Sequence, residues 1–339
     1  MNPPKWPLIS LAIALGSAFA GACWAADGTP QRPGIPDLQQ PFSRLASIAK
    51  FSIATNADWV AVTPNSIWVA GAGPNKILRI DARTNKVVAT IPLPNEACAG
   101  MVAGFGSLWV PQCGDTQSVV KIDLRTGQII ATIPFGPAEE GGITVSPDSV
   151  WFTTGDDGTL IRLNPRTNKV RQTVRIASHS YNPIFDQGTI WISSPDHNLI
   201  TAVNAVSGGV LGVSQTGPWP RFLVAGGGSI WTLNQGDGSV TRINRKSRRP
   251  MATIQLGVPG RGGDIAYTPG VVWASVIGIP LTAIDVRSGN PVIQWVGPGG
   301  DALRFGHGSL WLTDYRGGTL SRIQPGRALG IPPQGGRAQ

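Results

Sequence analysis

Glutamate is scarce in this chain: only Glu96, Glu139 and Glu140 are present, and none follows residue 140. Histidine is equally sparse, at 179, 197 and 307, and no Glu-x-His pair occurs. Cysteine appears at 23, 98 and 113 only. Charged residues make up 14% of the 339 residues. That is too few for a disordered, highly charged chain, and the pattern does not suit a helical one. There is no Gly-x-Ser-x-Gly elbow, so an ordinary serine-hydrolase arrangement is excluded. No phosphate-binding glycine loop is present either. The run Gly226–Gly228 precedes a strand, where tight backbone geometry explains it. Beyond the first 25 residues no apolar run approaches membrane-spanning length.

What the chain does contain is glycine (44), proline (29) and a regular beat of tryptophan. Trp68, Trp109, Trp151, Trp191, Trp231, Trp273 and Trp311 are spaced 41, 42, 40, 40, 42 and 38 residues apart. Each sits in a phrase such as Ser66-Ile-Trp-Val or Ser229-Ile-Trp-Thr. A fixed period of about 40 residues with β-rich units means modules that bury their faces only against one another. Length alone would allow two or three domains, but a continuous repeat overrides that expectation.

Residues 1–25 read as a secretory signal peptide: Lys5, a short apolar run from Leu8 to Ala22, and Ala25 before the cut. Lipid anchoring at Cys23 is the alternative. The stretch from Ala20 to Cys23 lacks the Leu expected three residues before the Cys, so soluble export to the periplasm or medium is preferred. The formal charge is 28 − 19 = +9, or +8 without Lys5. Such a surface either favours anionic partners or merely keeps the protein soluble.

Aligned on tryptophan, each unit shows four strand-like runs. In the third unit they are 143–145, 149–153, 159–163 and 169–176, separated by Ser-Pro-Asp, Gly-Asp-Asp-Gly and Asn-Pro-Arg-Thr-Asn turns. Four antiparallel strands per unit, seven times over, predict an all-β, seven-bladed β-propeller. The seventh unit ends after its third strand, 319–323. A spare strand at 47–53 resembles a fourth strand, so the N-terminal strand is expected to complete blade 7 and remove an open edge. The organisation expected is a signal peptide (1–25), an N-terminal linker (26–42), the propeller (43–326) and a flexible tail (327–339). The repeated Trp has a structural role as a wedge between blades. Cys98 and Cys113 lie symmetrically about a Gly-Phe-Gly turn, opposite one another in a hairpin and within disulfide reach. So isolated a pair argues against a redox or metal role.

The phrases Ser229-Ile-Trp-Thr-Leu-Asn-Gln-Gly-Asp-Gly-Ser-Val-Thr-Arg-Ile-Asn and Leu78-Arg-Ile-Asp-Ala-Arg-Thr-Asn-Lys-Val-Val-Ala-Thr-Ile resemble the YVTN-type (YncE-like) propeller repeat. The repeat is also similar to that of streptogramin (virginiamycin B) lyases, over roughly residues 47–325. The lyase resemblance implies a His and neighbouring Glu residues acting with a divalent cation, Mg or Ca, on a cyclic depsipeptide in the later blades. With no Glu beyond 140, those residues are not carried over; Asp264 and Asp301 are the nearest acids.

In a propeller the channel mouth is built by loops entering each first strand and loops leaving each second strand. About ten residues before each Trp, the first kind supplies Asp58 and Trp59, Glu96 and Cys98, Glu139 and Glu140, His179 and Tyr181, Trp219 and Arg221, Arg261 and Asp264, and Asp301 and Arg304. These positions differ from blade to blade on a repeating frame, which is where an asymmetric ligand is read. The ligand-binding candidates are Asp58, Trp59, Glu139, Glu140, Tyr181, Arg221, Asp264 and Asp301. Glu140 and His179 are the catalytic candidates. Two readings of the acids stay open. Glu139, Glu140, Asp58 and Asp301 converge on a cation with His179 as base, or they answer Arg221, Arg261 and Arg304. The loops after the second strands add Asp156, Asp157, Asp196, His197, Asp237, Asp314 and Tyr315; turn formation accounts for several of these acids. Arg242, Arg245, Lys246, Arg248 and Arg249 form a basic cluster on the opposite face of blade 5. Without interleaved aromatics it argues against nucleic acid and only weakly for another polyanion. The expectation is a monomer without a membrane span that binds a small polar ligand or a periplasmic protein at the mouth. The alternatives are a metal-assisted lyase or lactone hydrolase, and a polyanion-binding protein.

Overall fold

Strands buried on both faces need apolar residues on both, whereas an outermost strand needs them on one face only. This chain follows that rule in every unit. The second strand of blade 5, Ser229–Asn234, is buried at all positions, while the fourth, Pro250–Gln255, buries only Ile254. The computed structural model describes residues 34–330 except 115–116, 138–139, 155–156, 259 and 261. The signal peptide, the first part of the linker, the end of the tail, Glu139, Asp156 and Arg261 thus lie outside the described residues.

The described residues form a seven-bladed all-β propeller of antiparallel blades. Blade 3 is representative: Ile143–Ser146, Ser149–Thr154, Thr159–Leu163 and Val170–Arg175 pair in sequence order, close to the boundaries read from the sequence. Blade 7 contains Leu303–Gly306, Ser309–Asp314 and Thr319–Ile323, and Ala49–Ser52 pairs antiparallel with the last of these. The ring is closed by the N-terminal strand. Phe51 lies opposite Leu320 and stacks on Trp311 with ring centroids 6.3 Å apart.

The structure corrects the linker. Gln39–Pro41 runs parallel to Pro291–Val296 and adds a fifth strand to blade 6. The Ile35 amide donates to Gln294 Oε1 at 2.7 Å. The tail assignment also begins too early. Pro325–Ala328 forms one helical turn, Ala328 is fully buried, and its carbonyl accepts the Trp295 indole N–H at 2.7 Å.

All seven repeat tryptophans are essentially inaccessible to solvent. A second repeating residue stands opposite five of them. Arg79, Lys121, Arg162, Arg242 and Arg322 occupy the third-strand positions facing Trp68, Trp109, Trp151, Trp231 and Trp311, with their charged ends 4.6–5.2 Å from the ring centroids. The four arginines also donate through Nε to the Ser two residues before the Trp, at 2.8–3.0 Å. Each of the five cations then reaches a carbonyl of the next blade. Lys121 reaches Pro165, Arg162 reaches Val206, Arg242 reaches Val286, and Arg322 crosses the closure to Ala82, all within 2.9 Å. Arg79 makes a longer contact, 3.5 Å, to Arg125. Ala202 and Ala283 take the cation's place in blades 4 and 6. There, Arg245–Asp186 joins blades 4 and 5, and Arg304–Asp264 joins blades 6 and 7. Arg242 and Arg245 are therefore committed to the ring, which reduces the basic cluster of blade 5 to Lys246, Arg248 and Arg249.

The disulfide Cys98–Cys113 is present, with Cα atoms 5.6 Å apart. Its register departs from a symmetric hairpin: Cys113 faces Glu96, two residues from Cys98. The inner strand of blade 2 is broken into Glu96–Ala97 and Val102–Gly104, and the intervening residues absorb the offset.

Closure by a strand from the other end of the chain makes a testable claim. Phe51→Ala should destabilise the ring by about 3 kcal/mol in urea unfolding. A loss below about 1 kcal/mol would show that the strand contributes little to holding blade 7.

Candidate functional site

A regular inner strand would alternate its side chains between the two blade faces and present none to the ring axis for long. Here the pairing breaks at the mouth end of several inner strands. The register shifts between Ala57 and Val60, between Tyr181 and Ile184, and between Pro220 and Phe222. Such bulges re-aim side chains, and these carry Asp58, Trp59, Tyr181 and Arg221. Three non-glycine residues in left-handed backbone also sit here: His179, Asn182 and Trp219. Strain of this kind persists only where surrounding structure enforces it.

The result is one cavity of about 720 Å³, to which all seven blades contribute. Blade 1 supplies Asp58 and Trp59, blade 2 Glu96 and Cys98, blade 3 Glu140. Blade 4 supplies His179, Tyr181 and Asp196, blade 5 Trp219, Arg221, Phe222 and Gln235, blade 6 Gly262 and Ile277, and blade 7 Asp301 and Tyr315. Trp59 and Phe222 lie 6.2 Å apart between ring centroids. Blades 1 and 5 are not neighbours in the ring, so this contact spans the central channel and gives the funnel an apolar obstruction.

Arg221 is the best-held charge. It pairs with Glu140, and its guanidinium lies 4.3 Å from the Tyr181 ring centroid. Blades 3, 4 and 5 are thereby joined at the mouth. His179 Nδ1 lies 3.7 Å from Asp196, which also accepts the Trp219 indole N–H at 3.3 Å. His197 instead faces Ser178, with Nε2 and Oγ 2.9 Å apart, and does not line the cavity. Asp157, Asp237 and Asp314 accept hydrogen bonds within their own turns, from Thr159, Ser239 and Gly317, as turn formation predicts.

Asp264 is displaced from the expected funnel. It is 2% exposed and lies beneath the lining. It accepts from the Leu303 and Ile265 amides at 3.0 and 2.8 Å and pairs with Arg304. Its place is that of an internal tie between blades 6 and 7. Of the acids in the two open readings, Glu140 answers Arg221, while among the described residues Asp58 and Asp301 have no arginine partner; Asp264, outside those readings, answers Arg304. Among the described residues no group of three or more His, Cys, Asp or Glu is arranged to hold a metal ion. The lining residues missed from the sequence are mainly Phe222, Gln235 and Ile277. They carry no charge, and Gln235 and Ile277 follow second strands at positions with no repeat signature.

Asp58 and Asp301 both line the cavity. Burial pushes the Asp58 carboxyl well above the usual range, reinforced by Asp301, Glu140, Asp264 and Glu96. Burial likewise pushes Asp301 up to about 7, against the pull of the Gly263 amide, which donates to Oδ1 at 2.9 Å. Gly263 has a φ of 106°, and a Cβ there would lie 1.9 Å from the Ser275 carbonyl, so only glycine can present this amide. Asp264, Glu140 and Asp314 add to the upward push on Asp301.

Seven four-stranded repeats around a polar, blade-specific mouth define the class: a β-propeller repeat protein. Residues 115–296, more than half of the chain, match the family model PQQ_2, described as outer membrane protein assembly factor BamB, and the chain belongs to that family. None of the curated proteins matches it. Among the described residues no helix is long and apolar enough to cross a membrane.

The raised carboxyls make a pH prediction. A folded-state pKa above the unfolded one gives stability that is fully present below the unfolded value and is lost as pH rises through the folded value. For Asp301 that window runs from about 4 to about 7. Asp301→Asn should therefore raise the melting temperature relative to the parent more at about pH 8 than at about pH 4.5. A difference independent of pH would contradict the assignment.

Proposed function

We propose that this is an exported propeller of the BamB type that binds a polar small ligand or a segment of a partner protein in the funnel, without chemistry of its own. One observation carries the reading: side chains from seven blades, different in each, converge on one cavity while the frame behind them repeats. A cavity of this size suits small-molecule recognition. An extracytoplasmic setting is supported by the disulfide, which forms and persists in oxidising compartments, by the N-terminal segment read as a signal peptide, and by the outer-membrane wording of the family description.

A metal-assisted lyase or lactone hydrolase of the streptogramin-lyase type is the second reading. Its specific support is Asp301, whose carboxyl can exchange a proton near neutral pH. The YVTN-like repeat and the positions of Glu140 and His179 on the cavity wall are compatible with either reading. Polyanion binding by blade 5 is weakened by the commitment of Arg242 and Arg245 to the ring.

The test is a thermal-shift screen of charged and polar small molecules and short peptides. Compounds that raise the parent's melting temperature should lose their effect in Trp219→Ala and Arg221→Ala and keep it in Arg248→Ala/Arg249→Ala. At about a hundredfold excess over Kd, binding should stabilise by about 2.7 kcal/mol. Hits lost only with the blade 5 changes would place recognition on the opposite face and overturn the proposal.

A further inference from the structure

The face opposite the funnel carries its own series of bulges. The turns from third to fourth strand lie there, because antiparallel strands alternate in direction and the funnel takes their other ends. In six blades the fourth strand holds one extra, unpaired residue just after that turn. Bulges re-aim side chains, and the residues concerned are Val88, Ile130, Arg171, Leu211, Met251 and Val292. The five apolar ones are 38–55% exposed. Two positions further along the strand, the exposed residue is Thr90, Thr132, Thr173 or Thr253 in four blades, so the apolar character stops there. Blade 4 departs from this pattern. Val213 takes the threonine's place, Val210 before the bulge is exposed too, and Val206 in the turn is 79% exposed.

Charge on this face is distributed to match. In blades 1, 2 and 6 the turn opens on Asp81, Asp123 or Asp285, whose carboxyl accepts backbone amides. In blades 3, 4 and 5 it opens on Asn164, Asn204 or Asn244, which accepts the same bonds without a charge. The turn of blade 3 exposes Arg166 and Lys169; that of blade 5 exposes Lys246 and Arg249, with Arg248 half-buried beside them. Residues 204–217 of blade 4 contain no charged side chain. Asp148 and Asp186, at the adjoining hairpins of first and second strands, are paired with Arg162 and Arg245. The three blades are joined at this level. Arg162 and Gln172 donate to the Val206 and Ser207 carbonyls at 2.7 and 3.0 Å, and Ser214 Oγ donates to the Arg248 carbonyl at 2.7 Å. An uncharged aliphatic blade thus stands between two basic ones, and all residues of these three turns are among the described ones.

We propose that this face of blades 3, 4 and 5 docks on the surface of an anionic phospholipid bilayer. The aliphatic side chains of blade 4 enter the headgroup region, and the cations of blades 3 and 5 meet the phosphates. Binding of this kind scales with the apolar area buried plus the attraction of Lys and Arg to anionic lipid, and the face supplies both side by side. A soluble polyanion would engage the cations alone and leave the valines in water. Stacking on nucleic-acid bases needs aromatic faces, and none of the large, exposed apolar residues on these three blades is aromatic. A second copy docked by two-fold symmetry presents the same patch to itself, which sets basic turns against basic turns.

Vesicle flotation of the mature protein tests this, with vesicles of phosphatidylcholine alone and of equimolar phosphatidylcholine and phosphatidylglycerol, and with heparin as a soluble polyanion. The protein should float with the anionic vesicles and not with the neutral ones, and less at about 0.5 M salt. Val206→Ser/Leu211→Ser should weaken vesicle binding by about fivefold or more and leave heparin binding unchanged. Lys246→Ala/Arg249→Ala should weaken vesicle binding by about tenfold or more. Val87→Ser/Val88→Ser, exposed on blade 1, should leave it unchanged. Absence of flotation with anionic vesicles, or equal flotation with neutral ones, overturns the proposal. Vesicle binding that ignores Val206→Ser/Leu211→Ser but falls together with heparin binding in Lys246→Ala/Arg249→Ala overturns it in favour of a soluble polyanion. An equal loss with the blade 1 variant overturns the assignment to blades 3–5. Self-association in sedimentation that disappears with Val206→Ser/Leu211→Ser gives the patch to a second copy and overturns it as well.

Discussion

Everything in this structure depends on fastening one blade to the next, and the fastening is a tryptophan sandwiched beneath a cation. A blade alone leaves two wide apolar faces uncovered. The repeat Trp fills the interface, and the Arg or Lys opposite it covers the ring and binds a carbonyl of the following blade. A buried cation is expensive unless paired, hydrogen-bonded or stacked. Here stacking, a serine hydroxyl and a carbonyl together satisfy it. Each stacking contact contributes about 0.5–2 kcal/mol, and the pattern recurs in five of the seven blades. The two blades with alanine at that position use carboxylate–arginine ties instead.

That division of labour frees the mouth. Because five of the seven interfaces are secured by the second and third strands, the inner strands can bulge without loosening the ring, and the bulges carry Asp58, Trp59, Tyr181 and Arg221 to the axis. The same rigidity holds Asp301 where its charge adds to the upward push on the Asp58 carboxyl. Burial raises both carboxyls, so the charge of this part of the funnel changes with pH.

The ring was legible because its information is periodic. Seven Trp phrases, hairpin turns and the missing fourth strand near Ile323 all point to the same closed propeller. The cation opposite five of the tryptophans recurs eleven or twelve residues downstream of Trp68, Trp109, Trp151, Trp231 and Trp311, but its role depends on which carbonyl the next blade presents, and the spacing alone does not show it. Non-periodic features were harder. Gln39–Pro41 has linker composition and joins blade 6 only because an edge is available there. Counting from each Trp located Asp58, Glu140, Tyr181, Arg221 and Asp301 on one cavity, yet the same count placed Asp264 there. Its neighbour Arg304 draws it into the interface instead. The two-residue offset of Cys98 from Cys113 has the same origin, an irregular inner strand that no spacing rule anticipates.

The fastening can be measured by a double-mutant cycle on Arg162 and Trp151, whose cation and ring lie 5.2 Å apart. Urea unfolding of the parent, Arg162→Ala, Trp151→Leu and the double variant isolates the pairwise energy. The account predicts a favourable coupling of about 1 kcal/mol or more. A coupling near zero would mean that tryptophan and cation act independently, and that the ring is held by apolar burial alone.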